Sequence, residues 1–217
     1  MGIFNKLFGN NDKKNSDNYS NLSVGTFDKF IKTYKPSTDL IKPTQKMLDW
    51  YADKLPKELL DFWKEYGFGN YGSGLIKVIE PSEYMDSFYK WIGKQDHSKI
   101  PILVTGFGDI FYYRKLPEKD EDVSFLDIHY QNIDVCDYSL KHFFEKYIVD
   151  PELSKELLRK ILFEQAIKKM GNLAYEEIYF FKPALFLGGG EDLKYIDKGK
   201  GGVHQLVLQH LRQKASS

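Results

Sequence analysis

Residues 55–84 read LPKELLDFWKEYGFGNYGSGLIKVIEPSEY, and this stretch carries the strongest pattern in the chain. After the proline, which suits the first turn of a helix, apolar side chains at helical spacing form one broad face: Leu59, Leu60, Phe62, Trp63 and Tyr66. The glycines of the YGFG segment end this helix. Residues 75–79 then predict a strand, and Pro81 opens a further helix. The stretch therefore predicts a helix–strand–helix unit in which Trp63 belongs to the core.

Shorter patterns on both sides of this unit complete the predicted fold. Thr26 is a suitable N-cap for a first helix, and a second helix is expected over residues 44–53. Downstream, β-type runs at 102–105 and 110–113 enclose a Gly-Asp turn and predict a hairpin. The remaining predicted elements are a strand within 123–130, helices at 139–148 and 150–169, a strand at 178–181, an extended segment at 183–187, a strand at 193–196 and a closing helix at 203–211.

This order of elements indicates the fold class. Helices come first and an antiparallel sheet follows, with the helices segregated to one side of it, which is typical of an α+β protein. The predicted architecture is an antiparallel sheet flanked by helices, with a smaller C-terminal α/β segment packed on it. Within residues 110–113, Tyr112 and Tyr113 are adjacent, so on a half-buried strand they are not expected to be core residues together.

Composition and charge restrict the classes of function. The chain has 217 residues, enough for one compact domain or two small fused ones, and 16% of them are aromatic, which favours some rings at a protein interface. Thirty-one basic residues balance 31 acidic ones, which argues against a nucleic-acid partner because such binding needs excess positive charge. Cys136 is the single cysteine, so no internal disulfide forms, as expected in the reducing cytoplasm.

The N-terminal residues 1–25 differ from the rest of the chain. They begin with MGIFNKLF and continue into a polar linker, and they contain neither a secretory signal nor a membrane span. Two interpretations stay open: a disordered tail, or a short amphipathic helix that lies on a membrane surface. Neither interpretation predicts stable membrane insertion.

Two blocks of the sequence resemble known families. Residues 55–84 and the stretch PILVTGFGDIFYYR at 101–114 resemble the GAD-like domain, with its YGFG helix end and its Gly-Asp turn before an aromatic strand. Residues 171–211, GNLAYEEIYFFKPALFLGGGEDLKYIDKGKGGVHQLVLQHL, look like the C-terminal domain of type VI secretion immunity proteins. The LPKELLDFWKEYGFG opening is also similar, more distantly, to the SUKH immunity group.

The resemblance implies a domain organisation and a function. It implies a GAD-like domain over residues 26–150 and an immunity-protein C-terminal domain over residues 151–217, preceded by the tail. It further implies a cytoplasmic bacterial protein that protects its producer from a cognate secreted effector, often a nuclease. The implied partner is that toxin, and the sequence leaves the oligomeric state open.

The residues that could bind phosphate or a metal, or act in catalysis, are each explained more simply by a structural role. Gly188–Gly190 is followed by Glu191 and Asp192 and not by a helix with a lysine, so a turn is predicted in place of a phosphate site. Cys136 lies between aspartates, which raise the pKa of a thiol, and Asp109 suits its Gly-Asp turn. The five histidines lack metal-ligand spacing. We therefore predict no catalytic residue, no metal and no cofactor.

The acidic segment 117–137 is the predicted partner-binding surface. Seven acidic residues there face one lysine, a local net charge of −6. The predicted binding residues are Glu118, Asp120, Glu121, Asp122 and Asp127, with Tyr112, Tyr113, Phe125 and Tyr130 as aromatic anchors. Such a patch would dock on a basic toxin cleft and speed the encounter. The simpler interpretation is a solvated loop beside aromatic residues of the core.

Three functions therefore compete. The leading hypothesis is an immunity protein that neutralises a toxin by protein–protein contact and is not an enzyme. The second is a regulatory or scaffold module, membrane-associated through its N-terminus. The third is a small-molecule enzyme, which would need a cleft of converging ionisable groups for which the sequence offers no motif.

Overall fold

The computed structural model describes residues 26–215, the side chains of residues 119 and 215 excepted, so the predicted tail at 1–25 lies outside the described residues. Its centre is a six-stranded antiparallel sheet in which strands consecutive in sequence are also neighbours in space. The strands are β1 (Gly69–Tyr71), β2 (Ile76–Val78), β3 (Lys99–Thr105), β4 (Ile110–Lys115), β5 (Glu121–Asp127) and β6 (Asn132–Asp137). A separate two-stranded sheet contains β7 (Glu177–Phe181) and β8 (Ile196–Lys200).

Helices surround this sheet, in agreement with the predicted α+β class. They are α1 (Asp28–Thr33), α2 (Gln45–Tyr51), α3 (Lys57–Glu65), α4 (Met85–Ile92), α5 (Leu140–His142), which continues into a π-helical turn (Phe143–Tyr147), α6 (Pro151–Leu157), α7 (Lys160–Met170) and α8 (Gly201–Ala215). Within residues 26–215, no helix combines the length and the apolar character needed to cross a membrane.

Side-chain caps explain where several helices begin. The Thr44 and Ser139 hydroxyls accept hydrogen bonds from backbone N–H groups in the first turns of α2 and α5. Asp150 caps α6 in the same way, ahead of the proline at the first helical position. The predicted Thr26 cap is wrong, because α1 starts at Asp28 after a left-handed residue, Phe27, without a side-chain cap.

The first face of the sheet is covered by α1, α2, α3 and the helical segment 140–147. Phe62 of α3 packs against Phe30 of α1 and against Phe144, with ring centroids 5.9 and 5.8 Å apart. Trp63 is fully buried, as predicted, and meets the ring of Phe68 edge-on. The apolar face of α3 that is visible in the sequence therefore anchors the first core.

The second face is covered as well, by α4, α8 and β7. Phe88 of α4 packs on Tyr112 of β4 at 4.8 Å, and Leu208 of α8 belongs to the same buried cluster. The prediction that the helices lie on one side of the sheet is therefore wrong. The central strands carry apolar side chains at successive positions, so both of their faces require cover.

Buried polar contacts attach the C-terminal helix α8 to the sheet and to α4. The side-chain amide of Gln205 donates to the Gly108 carbonyl at 2.7 Å and accepts from the Ser87 hydroxyl at 2.8 Å. The Trp91 indole donates to the backbone carbonyl of Gln205 at 3.1 Å. Because these groups are buried and mutually satisfied, they fix the position of α8 on the sheet.

Four other predicted elements differ from the structure. The helix expected over 150–169 is interrupted at Arg159, which adopts a left-handed conformation with φ 50°. The strand expected at 193–196 is a short 3-10 turn that leads into β8. The extended segment at 183–187 contains a 3-10 turn at Leu185–Leu187. The predicted strand within 123–130 ends at Asp127, and β6 after it is an element that the sequence analysis missed.

Candidate partner-binding surface

The acidic segment 117–137 forms one end of the main sheet, and its members differ in exposure. Glu118 and Asp120 lie in the β4–β5 turn and are exposed. Glu121 is half-buried, and its Oε1 accepts a hydrogen bond from the Leu140 backbone N–H at 2.8 Å. Glu118 and Asp120 thus offer the most accessible charge among the five predicted acidic residues, and their role in binding stays a prediction.

Asp122 requires a correction, because it lies inside the protein. Its carboxylate receives two hydrogen bonds from the Arg114 guanidinium, one of 2.7 Å from Nε and a second from Nη2. The Ser124 hydroxyl donates to the same carboxylate at 3.0 Å. The side chain is fully buried, so Asp122 stabilises the β4–β5 pair and presents no charge to a partner.

The predicted aromatic anchors Tyr112, Tyr113 and Phe125 are also buried, so the sequence prediction of their exposure is wrong. Tyr112 belongs to the core under α4 and α8, whereas Tyr113 belongs to the core under α1–α3. Adjacent tyrosines on one strand are both core residues because both faces of the sheet are covered. Phe125 packs on the ring of Phe111 at 4.7 Å in the first core.

Tyr130 is the one predicted anchor that is exposed, at the tip of the β5–β6 hairpin. Asp127 holds this turn, because its Oδ1 accepts the backbone N–H groups of His129 and Tyr130, both at 2.8 Å. The Tyr130 ring lies 5.9 Å from the Arg159 guanidinium carbon, within the range of a cation–π contact. The hairpin tip is therefore held by side-chain contacts and displays an aromatic ring.

Arg159 joins this tip to the C-terminal part of the chain. Its nearly buried guanidinium contacts the carboxylates of Asp109 at 2.8 Å, Asp127 at 3.4 Å and Glu191 at 2.7 Å. Burial and the neighbouring Asp127 raise the pKa of Asp109, whereas the Arg159 charge opposes that rise. The predicted turn role of Asp109 is only part of its function, since it is also the centre of an ion cluster between distant segments.

His129 is buried beside this cluster. Its Nε2 lies 2.8 Å from the Phe107 carbonyl, which assigns the ring proton to that nitrogen, and burial together with the Arg159 charge lowers the pKa of His129 to about 3. The sequence analysis did not connect Arg159, Asp109 and His129, because they are separated by up to 50 residues and share no spacing motif. Only the fold brings them together.

Glycine geometry supports the structural interpretation of the Gly188–Gly190 turn, which positions Glu191. A Cβ at Gly189 would lie 2.0 Å from the Pro183 carbonyl oxygen, so this close approach requires glycine.

Burial, and to a lesser degree the nearby aspartates, raises the pKa of the Cys136 thiol, in the direction predicted. Across residues 26–215, no three His, Cys, Asp or Glu side chains are arranged to hold a metal ion.

Comparison with known proteins identifies the class to which this fold and surface belong. Residues 25–124 match the family described as GAD-like domain, and residues 137–212 match the family described as T6SS immunity protein Tdi1, C-terminal. A match to the GAD-like domain is therefore followed by a match to the type VI secretion immunity-protein domain, in the order that the sequence predicted. The second match supports an immunity role. The boundary predicted near residue 150 stays a prediction.

A solved structure has the same fold. The crystal structure of Atu4351 from Agrobacterium tumefaciens superposes with a TM-score of 0.65 at 15% sequence identity, covering 84% of this chain and 88% of that chain. At this level of identity, the likeness shows the fold alone. The search of curated proteins found no match.

Proposed function

We propose that this chain is a cytoplasmic immunity protein that binds a cognate secreted toxin and neutralises it by protein–protein contact, without catalysis of its own. The observation that carries this proposal is the match of residues 137–212 to the type VI immunity domain. The fold supports it, because the ionisable groups that converge in the described part of the chain are committed to mutual ion pairs. A cluster of this kind holds segments of the chain together, which is a structural role.

The charge of the exposed groups favours a basic toxin surface. Glu118 and Asp120 project from the β4–β5 turn, and the half-buried Asp134 adds a third carboxylate farther along, on the edge strand β6. A nuclease cleft is basic because it binds phosphates, so it is the type of active site that this end of the sheet would fit. Neutralisation would follow from blocking that cleft or from displacing an element of the toxin.

Co-expression with the effector encoded beside this gene tests the proposal. We expect the chain to restore growth of cells that produce the active effector domain and to co-purify with its catalytically inactive form. An immunity protein from an unrelated effector pair is the control, and it should give neither result. If the effector remains toxic in the presence of this chain and the two proteins do not bind, the proposed function is wrong.

A further inference from the structure

The two edges of the main sheet are protected differently. At the β1 edge, the preceding loop covers the strand: Ile41 exchanges backbone hydrogen bonds of 2.8 Å with Phe68, and Ser37 donates to the Asn70 carbonyl at 2.9 Å. At the opposite edge, β6 is the last strand, and within residues 26–215 no segment pairs with its outer side. β6 therefore presents backbone N–H and C=O groups that another strand could bind.

One face of β6 exposes apolar side chains. Ile133 is 46% exposed and Val135 is 37% exposed. Ile133 and Val135 pair with Leu126 and Ser124 of β5. They therefore lie on the sheet face that α4 and α8 cover at the more central strands. Tyr138 follows directly and is 74% exposed. An added strand would extend this apolar row and shield it from water.

Two features of the edge limit which chain can bind. The register shifts between Val123 and Ser124, so Cys136 is a bulged residue and the regular part of the edge is 132–135. Asp134 lies between the two apolar residues on the other face, accepts a hydrogen bond from Asn132, and forms no ion pair within the described part of the chain. β6 contains neither lysine nor proline, so the bulge and Asp134 are the features of this strand that restrict pairing at its edge.

Charge decides between the candidate occupants. Antiparallel pairing of two copies through residues 132–135 would bring the two Asp134 side chains close together, and these like charges would repel. Asp137 is already paired with His142 and adds little. A segment in which apolar residues alternate with lysine or arginine would match both the apolar row and the carboxylates.

We propose that the β6 edge binds an extended basic segment of the toxin as a seventh strand of the sheet. This inference rests on the proposed function and specifies where the toxin binds and in which conformation. Backbone hydrogen bonds would supply affinity, and Ile133, Val135 and Asp134 would select the side chains of the added strand.

The test uses the full chain, the catalytically inactive effector domain from the same locus, and the double variant Ile133→Lys/Val135→Lys. Both side chains are exposed, so the fold should be retained, and the thermal unfolding midpoint verifies this. We expect the Kd for the effector domain to rise about 100-fold, because the variant removes central apolar contacts and adds like charge. The matched control is Val203→Lys/Val207→Lys on α8, where the side chains are 60% and 46% exposed; it should bind normally.

Hydrogen exchange separates strand addition from contact through side chains alone. In the complex, the amides of residues 132–135 that point away from β5 should exchange at least about 10-fold more slowly than in the free chain. The edge proposal is overturned, with the proposed function intact, if the wild type binds while the β6 variant binds equally or the amides gain no protection. A dimer of the free chain that the β6 variant abolishes would also overturn it. If the wild-type chain neither binds the effector domain nor restores growth of cells that produce the active effector, both proposals are rejected.

Discussion

Arg159 Nη1 donates a hydrogen bond to Asp109 Oδ2 across 2.8 Å, although the two residues are 50 positions apart. Asp109 ends the turn between β3 and β4, and Arg159 lies at the break between α6 and α7. Both side chains are buried, and the same guanidinium also reaches Asp127 at the hairpin tip. The ion cluster therefore fixes the C-terminal segment against the sheet and supports the turn that displays Tyr130.

Removing the positive charge from this cluster should destabilise the fold. We expect Arg159→Met to lower the free energy of unfolding by about 3–5 kcal/mol, since it leaves buried carboxylates without their partner. Urea denaturation measures the loss. The double variant Arg159→Met/Asp109→Asn should recover part of the stability because it removes one unpaired charge. A loss below about 1 kcal/mol for Arg159→Met would show that water reaches the cluster.

Stability should fall in acid because His129 is buried in its neutral form. Burial lowers its pKa from 6.5 to about 3, so between these values the unfolded chain binds a proton that the folded chain does not. The free energy of unfolding should therefore decrease as the pH is lowered from 6.5 toward 4, by up to about 1.4 kcal/mol per pH unit from this group.

The variant His129→Gln isolates this contribution, because glutamine keeps a donor for the Phe107 carbonyl and does not titrate. Its unfolding free energy, measured in urea from pH 7 to pH 4, should depend less steeply on pH than that of the wild type. The remaining slope includes His204, whose pKa burial lowers to about 4. Equal slopes for the two proteins would contradict the assignment.

Trp63 should be a major contributor to the first core. Trp63→Ala removes a fully buried indole that packs against Tyr51 and Phe68, and we expect a loss of about 3–5 kcal/mol in the free energy of unfolding. Trp50→Ala is the matched control, because this indole is 66% exposed and its removal should cost less than about 0.5 kcal/mol. Similar losses in the two variants would mean that α3 is not the anchor of this core.

The acidic turn should influence the rate of association with the toxin. Charge reversal at Asp120, Glu121 and Asp122 is a poor test, because Asp122 is buried against Arg114 and its replacement would disrupt the fold. The variant Glu118→Lys/Asp120→Lys changes exposed groups only. We expect association to slow about 10-fold at low ionic strength, with little change in dissociation, because long-range attraction acts on the encounter.

Surface plasmon resonance at 20 and 500 mM salt measures the association rates of this variant and of the wild type. The difference between the two rates should shrink at 500 mM salt, because the Debye length there is on the order of a few ångströms and the charges are screened. The control Glu152→Lys lies on α6 and is also exposed, and it should leave the association rate unchanged. Identical association rates for the turn variant and the wild type would exclude an electrostatic role for this turn.

Local features of the sequence predicted the elements well where a helix face or a cap decides the outcome. The apolar face of α3, the buried Trp63, the helices predicted to start near residues 44 and 139 and the 102–105/110–113 hairpin all depend on contacts within a few residues. β6 was missed because a strand at an edge, with exposed Ile133 and Val135 and interspersed aspartates, has no buried alternating pattern to reveal it.

The sequence by itself determined the α+β class, the helix–strand–helix unit at 55–84 and the two family resemblances, because each is encoded in short-range spacing. The tertiary structure alone decided which charged and aromatic side chains reach the surface. Asp122 became buried where Arg114 and Ser124 donate to its carboxylate. Tyr112 and Tyr113 became core residues together because α4 and α8, the latter nearly 90 residues farther along the chain, cover the second face of the sheet. Burial depends on what packs against a residue, and for Tyr112 part of that cover is remote in sequence.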